Sequence, residues 1–542
     1  VSAGDGSIGR HTRTVAGLTL VSRVLGLVRD LVTVRVFGDT VVGSAFAAAF
    51  AVPNMFRRLF GEGALSAAFI PVYTRLSDED PERAGALATL TIGMLALVTG
   101  VITLVIELGV WGVILLASDD ADRVFSLELV MVMLPFMPLI CVAAILGGML
   151  QTHGRFGPWA AAPVLLNVCV IGACVPYFLV EGAEARRFAY WIGIAAVVSA
   201  GLQVVWSLWA LKGLVRWKRG VDEVRGEARA MLRRMVPVMI GLGTLQLNTF
   251  VDTLIAMYPN WVGGTIGGRA YPLDGASNAV LFYAQRLYQF PLGVFGIAVA
   301  TAAFPALARA AGEPERFTGM LRRGVRLSLF IGLPSSVGLV CVGPALVRVL
   351  YSGGDSGFSD AGAARAGWVL VAYATAVWAY SLNQLFTRSM YARDDMRTPM
   401  RIALGMVGAN VALNVVLIWW LKEAGLAVST AVCAMGQCVL LARAAKRGAG
   451  GSGGAEGALL DAETGRAVRG IVVRSVLVAP IALGCVWGAR ALGDAMGWGS
   501  WTADLVGVGS AVVVSMGVFL GVARAKRDPE LSWLTARMTD TA

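Results

Sequence analysis

The sequence predicts an all-α polytopic membrane protein of about fourteen transmembrane helices, built as two pseudo-symmetric six-helix lobes and a C-terminal helix pair. Three observations predict it. The 542-residue chain is 57% hydrophobic and only 15% charged, with a mean hydropathy of +0.69, which is outside the range of soluble domains. Apolar runs long enough to span a bilayer recur from end to end. The basic residues of the connections, finally, are concentrated in every second one.

In order, spans are expected at roughly 14–37, 42–74, 86–117, 127–150, 158–181, 188–211, 231–258, 276–308, 325–350, 366–390, 400–421, 424–445, 470–492 and 501–523. One set of termini and loops then carries 31 of the 46 Lys and Arg, and the opposite loops carry 7. That asymmetry puts both termini in the cytoplasm and requires an even number of spans. The net charge of +11 is therefore a matter of topology, and no nucleic-acid partner is expected. Span order divides the chain into an N-lobe (1–211), a basic cytoplasmic linker (212–230) that could lie as an amphipathic helix on the membrane surface, and a C-lobe (231–446). A Gly-rich cytoplasmic linker (447–468), the last two helices (469–524) and a cytoplasmic tail (525–542) follow. The sequence opens at Val1, so a short preceding piece is expected, and no basic-then-apolar leader is read in it.

An internal repeat supports the two lobes. Arg57-Arg58-Leu59, Ala68-Phe69-Ile70-Pro71 and Pro81-Glu82-Arg83 are echoed by Arg286-Leu287, Ala303-Phe304-Pro305 and Pro314-Glu315-Arg316. Met149, Arg155 and Pro158 are echoed by Met390, Arg397 and Pro399. An offset of six helices is even, so the halves are expected to have the same orientation in the membrane and to enclose a central cavity.

Four arginines lie in apolar segments: Arg23 and Arg29 in the first, Arg57 in the second and Arg286 in the eighth. A charge at the bilayer centre costs about 3 kcal/mol on insertion scales. Four of one sign therefore imply an anionic, phosphorylated cargo, for which the guanidinium fork is suited because it pairs bidentately and never loses its charge. Arg23 and Arg29 are about 240° apart around a helix, so sharing one stripe needs a bend, expected at Gly26. Pro53 breaks the hydrogen-bond ladder ahead of Arg57, and Glu62 is spaced to tether Arg57 or Arg58. Asp30, Arg58, Glu62 and Gln289 stand as supporting residues. Arg35, near its helix end, reads as a snorkelling side chain.

A second constellation combines Asp252, a lone acid in the seventh span near Gln246, Asn248 and Thr253, with Asn410 and Asn414, four apart on one face, and Thr430. Such a set could coordinate Na⁺ or carry a proton; interhelical hydrogen bonding is the alternative. The seven cysteines lie in apolar stretches, and only His11 and His153 accompany them. They read as packing residues rather than zinc ligands or a disulfide framework. No nucleophile–base pairing or Lys-bearing phosphate loop is read, so no enzyme and no catalytic residue are expected.

The run Ser22-Arg23-Val24-Leu25-Gly26-Leu27-Val28-Arg29-Asp30 and the run from Val52-Pro53-Asn54 through Arg57-Arg58 to Glu62-Gly63-Ala64 resemble the N-terminal signature of the MurJ/MviN family. Tyr283-Ala284-Gln285-Arg286-Leu287-Tyr288-Gln289-Phe290-Pro291-Leu292-Gly293 resembles its eighth-helix motif. Gly154-Arg155-Phe156-Gly157-Pro158 with Pro163-Val164-Leu165-Leu166-Asn167 resembles its turn between helices four and five. The likeness runs from about Val15 to Gly521. It implies a lipid II flippase of the MOP exporter superfamily in the bacterial cytoplasmic membrane, working by alternating access. The implied cargo is undecaprenyl diphosphate bearing the peptidoglycan disaccharide-pentapeptide, with Arg23, Arg29, Arg57 and Arg286 on the diphosphate. The resemblance maps a sodium site onto Asp252, Asn410, Asn414 and Thr430, with Na⁺ the candidate coupling ion and no other cofactor. It also implies a polyprenyl groove along 471–486 and 503–522. Ser44 and Gln289 depart from the family pattern, which often has acids there. A flippase for another undecaprenyl-diphosphate-linked oligosaccharide and a non-transporting scaffold for cell-wall synthesis are the alternatives. Membrane lipids and peptidoglycan-synthesis enzymes are the expected partners.

Overall fold

The computed structural model describes residues 4–59, 65–116, 120–218, 222–353, 357–449 and 461–535. Glu62 and residues 450–460 of the Gly-rich linker lie outside the described residues. The chain packs as two compact units, Val1–Ala279 and Val280–Ala542.

The first unit contains α1 (Gly4–Phe37), α2 (Val41–Phe56), α3 (Leu65–Glu79), α4 (Pro81–Leu116), α5 (Ala121–Met133), α6 (Phe136–Thr152), α7 (Phe156–Cys174), α8 (Ala185–Ala210) and α9 (Arg225–Trp261). A short antiparallel hairpin follows, β1 (Thr265–Ile266) paired with β2 (Arg269–Ala270), and then the first residues of α10 (Ser277–Pro291). Helix starts carry side-chain caps: the Thr40 hydroxyl accepts from Gly43 N at 3.3 Å, and Asp120 accepts from the amides of Asp122 and Arg123 at 3.1 Å. Helix α1 lies along α7, α8 against α6 and α7, and α9 against α2, α3 and α5. Phe46, Phe50, Phe69, Tyr73 and Phe136 fill the centre of this unit. In lipid, such contacts hold helices together by close packing rather than by exclusion of water.

The linker expected as a surface helix takes another form. Residues 211–214 turn, with Gly213 at φ +79°, and 215–218 run irregularly. The strand of backbone is seated against the start of α4, where a Cβ on Gly85 would lie 1.7 Å from the Arg216 carbonyl oxygen. Lys218 pairs with Glu82 and Glu223, and Arg83 with Glu227. Lys218 of the linker thus meets acids of the same unit, and residues 225–230 form the start of α9.

The second unit continues α10, adds a π-helical turn (Leu292–Gly296), and contains α11 (Ile297–Arg309), α12 (Pro314–Tyr351), α13 (Asp360–Ala374), α14 (Val377–Tyr391), α15 (Arg397–Leu421), α16 (Glu423–Ala449), α17 (Ala462–Met496), α18 (Ser500–Ala525) and α19 (Pro529–Thr535). The α17–α18 pair packs on α12, which also bears α13 and α14. Gly497, at φ +70°, ends α17 in the left-handed conformation that glycine adopts without steric cost.

Among the described residues nine helices are long and apolar enough to cross a membrane, and α13 with α14, bent by 42°, makes a tenth. The other expected spans correspond to α1, α2 with α3, α9, and α10 with α11. These are the segments that carry Arg23, Arg29, Arg57, Asp252 and Arg286. The fold is the expected all-α polytopic one, and the candidate arginines and Asp252 lie in the segments that are shorter, broken or more charged, whereas Asn410, Asn414 and Thr430 lie on apolar spanning helices.

Candidate functional site

In the first unit the site is built on α1, α2 and α7. Arg29 donates from Nε and Nη2 to Asp30 Oδ1 at 3.0 and 2.7 Å, and from Nη1 to Asn167 Oδ1 at 3.1 Å. Its guanidinium lies 5.4 Å from the centre of the Phe50 ring on α2, a cation–π distance. Asn167 in turn donates from Nδ2 to the Ser22 carbonyl at 3.1 Å. Helix α1 runs uninterrupted through Gly26. The Asn167 amide of α7 lies 3.7 Å from where a Cβ on Gly26 would stand, an ordinary contact distance. Arg23 and Arg29 keep different environments: Arg23 is exposed and Arg29 half-buried.

Arg57 caps the end of α2, one turn after Pro53, and donates from Nε to Asn54 Oδ1 at 3.1 Å. Phe50 and Arg57 are seven residues apart, close to two turns, so the ring under Arg29 and the Arg57 position share one face of α2. Arg58 reaches Gln246 on α9 at 3.5 Å. The expected Glu62 tether falls outside the described residues. Ser44, where an acid was noted as common, is fully buried; its hydroxyl accepts from Ala279 N at 3.0 Å and its carbonyl from Asn278 at 2.9 Å. It anchors the start of α10.

In the second unit Arg286 sits one turn after Phe282, its guanidinium 4.5 Å over that ring. Gln285 donates to the Tyr373 hydroxyl at 2.9 Å, and Tyr288 stacks on Tyr373 and Tyr380 at 4.8 and 5.6 Å. These contacts fix the face of α10 that carries Arg286, while Gln289 is half-buried. Pro291 and the π-helical turn follow at once, an irregularity often found at functional positions.

Asn410 and Asn414 on α15 are fully buried with Ser429. Asn414 Nδ2 donates to Asn410 Oδ1 at 3.0 Å, Asn410 Nδ2 donates to Thr430 Oγ1 at 3.2 Å and to Ser429 at 3.4 Å, and Ser429 donates to Asn414 Oδ1. This neutral knot joins α15 to α16. Asp252, buried on α9, belongs to the first unit, so the four expected ion ligands do not form one cluster within either unit. Among the described residues no three His, Cys, Asp or Glu are grouped to hold a metal.

Sequence reasoning missed Asn167 as a partner of Arg29, and Ser429 as the centre of the knot. A lone amide in the apolar α7 was the available signal for the first; the second, flanked by Thr430, gave none.

A family model described as Lipid II flippase MurJ matches residues 33–495. The chain is 30% identical over 455 residues to a probable lipid II flippase MurJ of Vibrio cholerae, covering 79% of this chain and 81% of that protein. It is 31% identical over 448 residues to a probable lipid II flippase MurJ of Rhizobium meliloti, covering 80% of each. The fold is similar to a solved lipid II flippase MurJ in an inward closed conformation, with TM-score 0.73 and 20% identity over 94% of this chain and 99% of that one. An inward-facing multidrug resistance MATE transporter of the MOP superfamily gives TM-score 0.63 and 12% identity over 80% and 97%.

Proposed function

The chain belongs to the lipid II flippase family MurJ, and from that premise we propose that it carries lipid II from the inner to the outer leaflet of the bacterial cytoplasmic membrane by alternating access. Arg23, Arg29, Arg57 and Arg286 supply positive charge for the diphosphate, with Asp30, Arg58, Glu62 and Gln289 in support. The observation that carries the reading is Arg29, a half-buried guanidinium held by one carboxylate, one amide and one aromatic face. A diphosphate offers the guanidinium charge-assisted pairing of the same kind as the Asp30 carboxylate and stronger than the amide contact, so arriving cargo can compete for it.

Transport breaks no covalent bond, and the protein acts as a carrier rather than an enzyme. The Lys and Arg asymmetry supports cytoplasmic termini, and span order supports the six-plus-six arrangement. Ion coupling belongs to the same proposal. Asn410, Asn414 and Thr430 offer the neutral oxygens a Na⁺ takes, and Asp252 offers a buried charge. Na⁺ binding at the amides would have to accommodate the Asn414–Asn410 and Ser429–Asn414 bonds.

The test is complementation of a flippase-depleted bacterium, read as lipid II accessible at the outer leaflet. Wild type should restore it, and Arg57→Ala and Arg286→Ala, present at equal level in the membrane, should not. Failure of an expressed wild type would point to another lipid-linked oligosaccharide. Rescue by both variants would favour a scaffold that recruits wall-synthesis enzymes.

A further inference from the structure

At the end of the second unit away from α19, three long helices meet around one acid. Asp504, 1% exposed, in the second turn of α18, receives Arg348 of α12 through Nε at 2.6 Å and Nη2 at 3.4 Å, and Arg490 of α17 through Nε at 2.7 Å. Two guanidinium charges face a single carboxylate, leaving a surplus of one positive charge. Arg490 is 43% exposed, and its two Nη groups make no hydrogen bond to the protein among the described residues. Asp494, one turn beyond, makes no ion pair with Arg490 among the described residues.

The surroundings set the depth. Trp501 donates from Nε1 to the Val349 carbonyl at 3.0 Å while its ring is largely exposed, and Trp487 is 70% exposed. Trp501, the second residue of α18, stands at a helix end, where tryptophans mark the headgroup level of a bilayer. Below Arg490, the exposed Trp487, Leu483, Val476 and Val472 of α17 fall within about 60° of one another around the helix axis. From Val476 to Trp487 that stripe is about 16 Å long, near the hydrocarbon depth of one leaflet. Behind it Val342, Ala345, Ala482, Val486 and Ala511 form a tight small-residue core.

We propose that Arg490, backed by Arg348 and Asp504, is a binding site for the phosphodiester headgroup of an anionic phospholipid, whose acyl chain lies along the Trp487–Val476 stripe. A surplus of one charge matches a monoanionic phosphodiester. A polyprenyl diphosphate carries more charge than this cluster can neutralise. The stripe overlaps the 471–486 stretch where the family resemblance puts the polyprenyl tail, but the proposal needs only a membrane-spanning chain, and added lipid II in the test separates the two.

The test is native mass spectrometry of the full-length protein released from nanodiscs of phosphatidylglycerol and phosphatidylcholine in equal amounts. Wild type should retain phosphatidylglycerol preferentially. Arg490→Gln should lower that retention about fivefold, which is ~1 kcal/mol, with phosphatidylcholine unchanged, and Arg490→Lys should keep most of it. Trp487→Ala, which leaves the ion cluster whole, should weaken retention of both lipids and keeps the test open if Arg490→Gln does not fold. Unchanged phosphatidylglycerol retention in Arg490→Gln, or in Trp487→Ala, overturns the proposal. So does a loss of added lipid II with phosphatidylglycerol unaffected.

Discussion

Replacing Asp30 by Asn should weaken the fold and strengthen cargo binding at once. Arg29 makes both a 2.7 and a 3.0 Å contact with Asp30 Oδ1, and the two side chains are 14% and 11% exposed. Asparagine keeps the shape and removes the charge. Breaking a fully buried ion pair costs about 3–5 kcal/mol, and a charge-assisted hydrogen bond contributes about 1.5–3 kcal/mol. Arg29 retains Asn167 at 3.1 Å and the Phe50 ring at 5.4 Å, so the lower range applies, and a loss of about 2 kcal/mol is expected. A diphosphate would then no longer compete with an internal carboxylate, and its affinity should rise about tenfold, ~1.4 kcal/mol. Thermal unfolding of the purified protein with and without lipid II reads both quantities. The variant should melt lower alone and gain more from ligand than wild type. If affinity falls together with stability, Asp30 orients Arg29 for the cargo instead of occupying its place, and the displacement argument is refuted.

Three further outcomes follow from other contacts. Glu530, buried on α19, accepts from Arg326 Nε at 2.6 Å, and Arg326 also pairs with the exposed Glu463 and lies 5.0 Å from Trp533. Glu530→Ala should cost about 2 kcal/mol, below the full buried-pair value because those partners remain, and amide exchange should quicken at 462–470 and 529–535; unchanged protection would contradict it. Asn414→Ala removes a donor to Asn410 and an acceptor for Ser429, for about 1–3 kcal/mol; if the knot binds Na⁺, wild type should melt higher in sodium than in choline chloride and this variant should not. The Asp461 carboxyl, which caps α17, is held below its ordinary value of 3.8 chiefly by the Thr464 backbone amide, with Arg322 adding to it. A depressed carboxyl contributes stability that is present above its unfolded value and lost as pH falls through its folded one. Protection at 462–466, taken relative to the intrinsic exchange rate at each pH, should therefore be flat between pH 7 and 5 and fall only below about 4.

The spans were legible because each needs about twenty apolar residues, and the segments with charged residues stood out against that background. Arg29 could be picked out for this reason, but its partner could not. Asn167 lies 138 residues away, and only the packing of α7 across Gly26 brings it close. Gly26 reads as a bend in the sequence, yet α1 runs through it as one helix. The linker after α8 has the charge pattern of a surface helix, yet the glycines at 85 and 213 let it turn into the base of α4. The amides of α15 were visible at their four-residue spacing, whereas the contact of both with Ser429 appears only once the next helix is packed beside them.

The most direct measurement is lipid II movement across liposomes holding the purified protein, comparing wild type with Arg29→Ala and Arg286→Ala of matched folding and orientation. The account predicts transport by wild type and a loss of about tenfold or more in each variant, since each removes a charge worth at least ~1.4 kcal/mol to a bound diphosphate. Wild-type rates in both variants would contradict it.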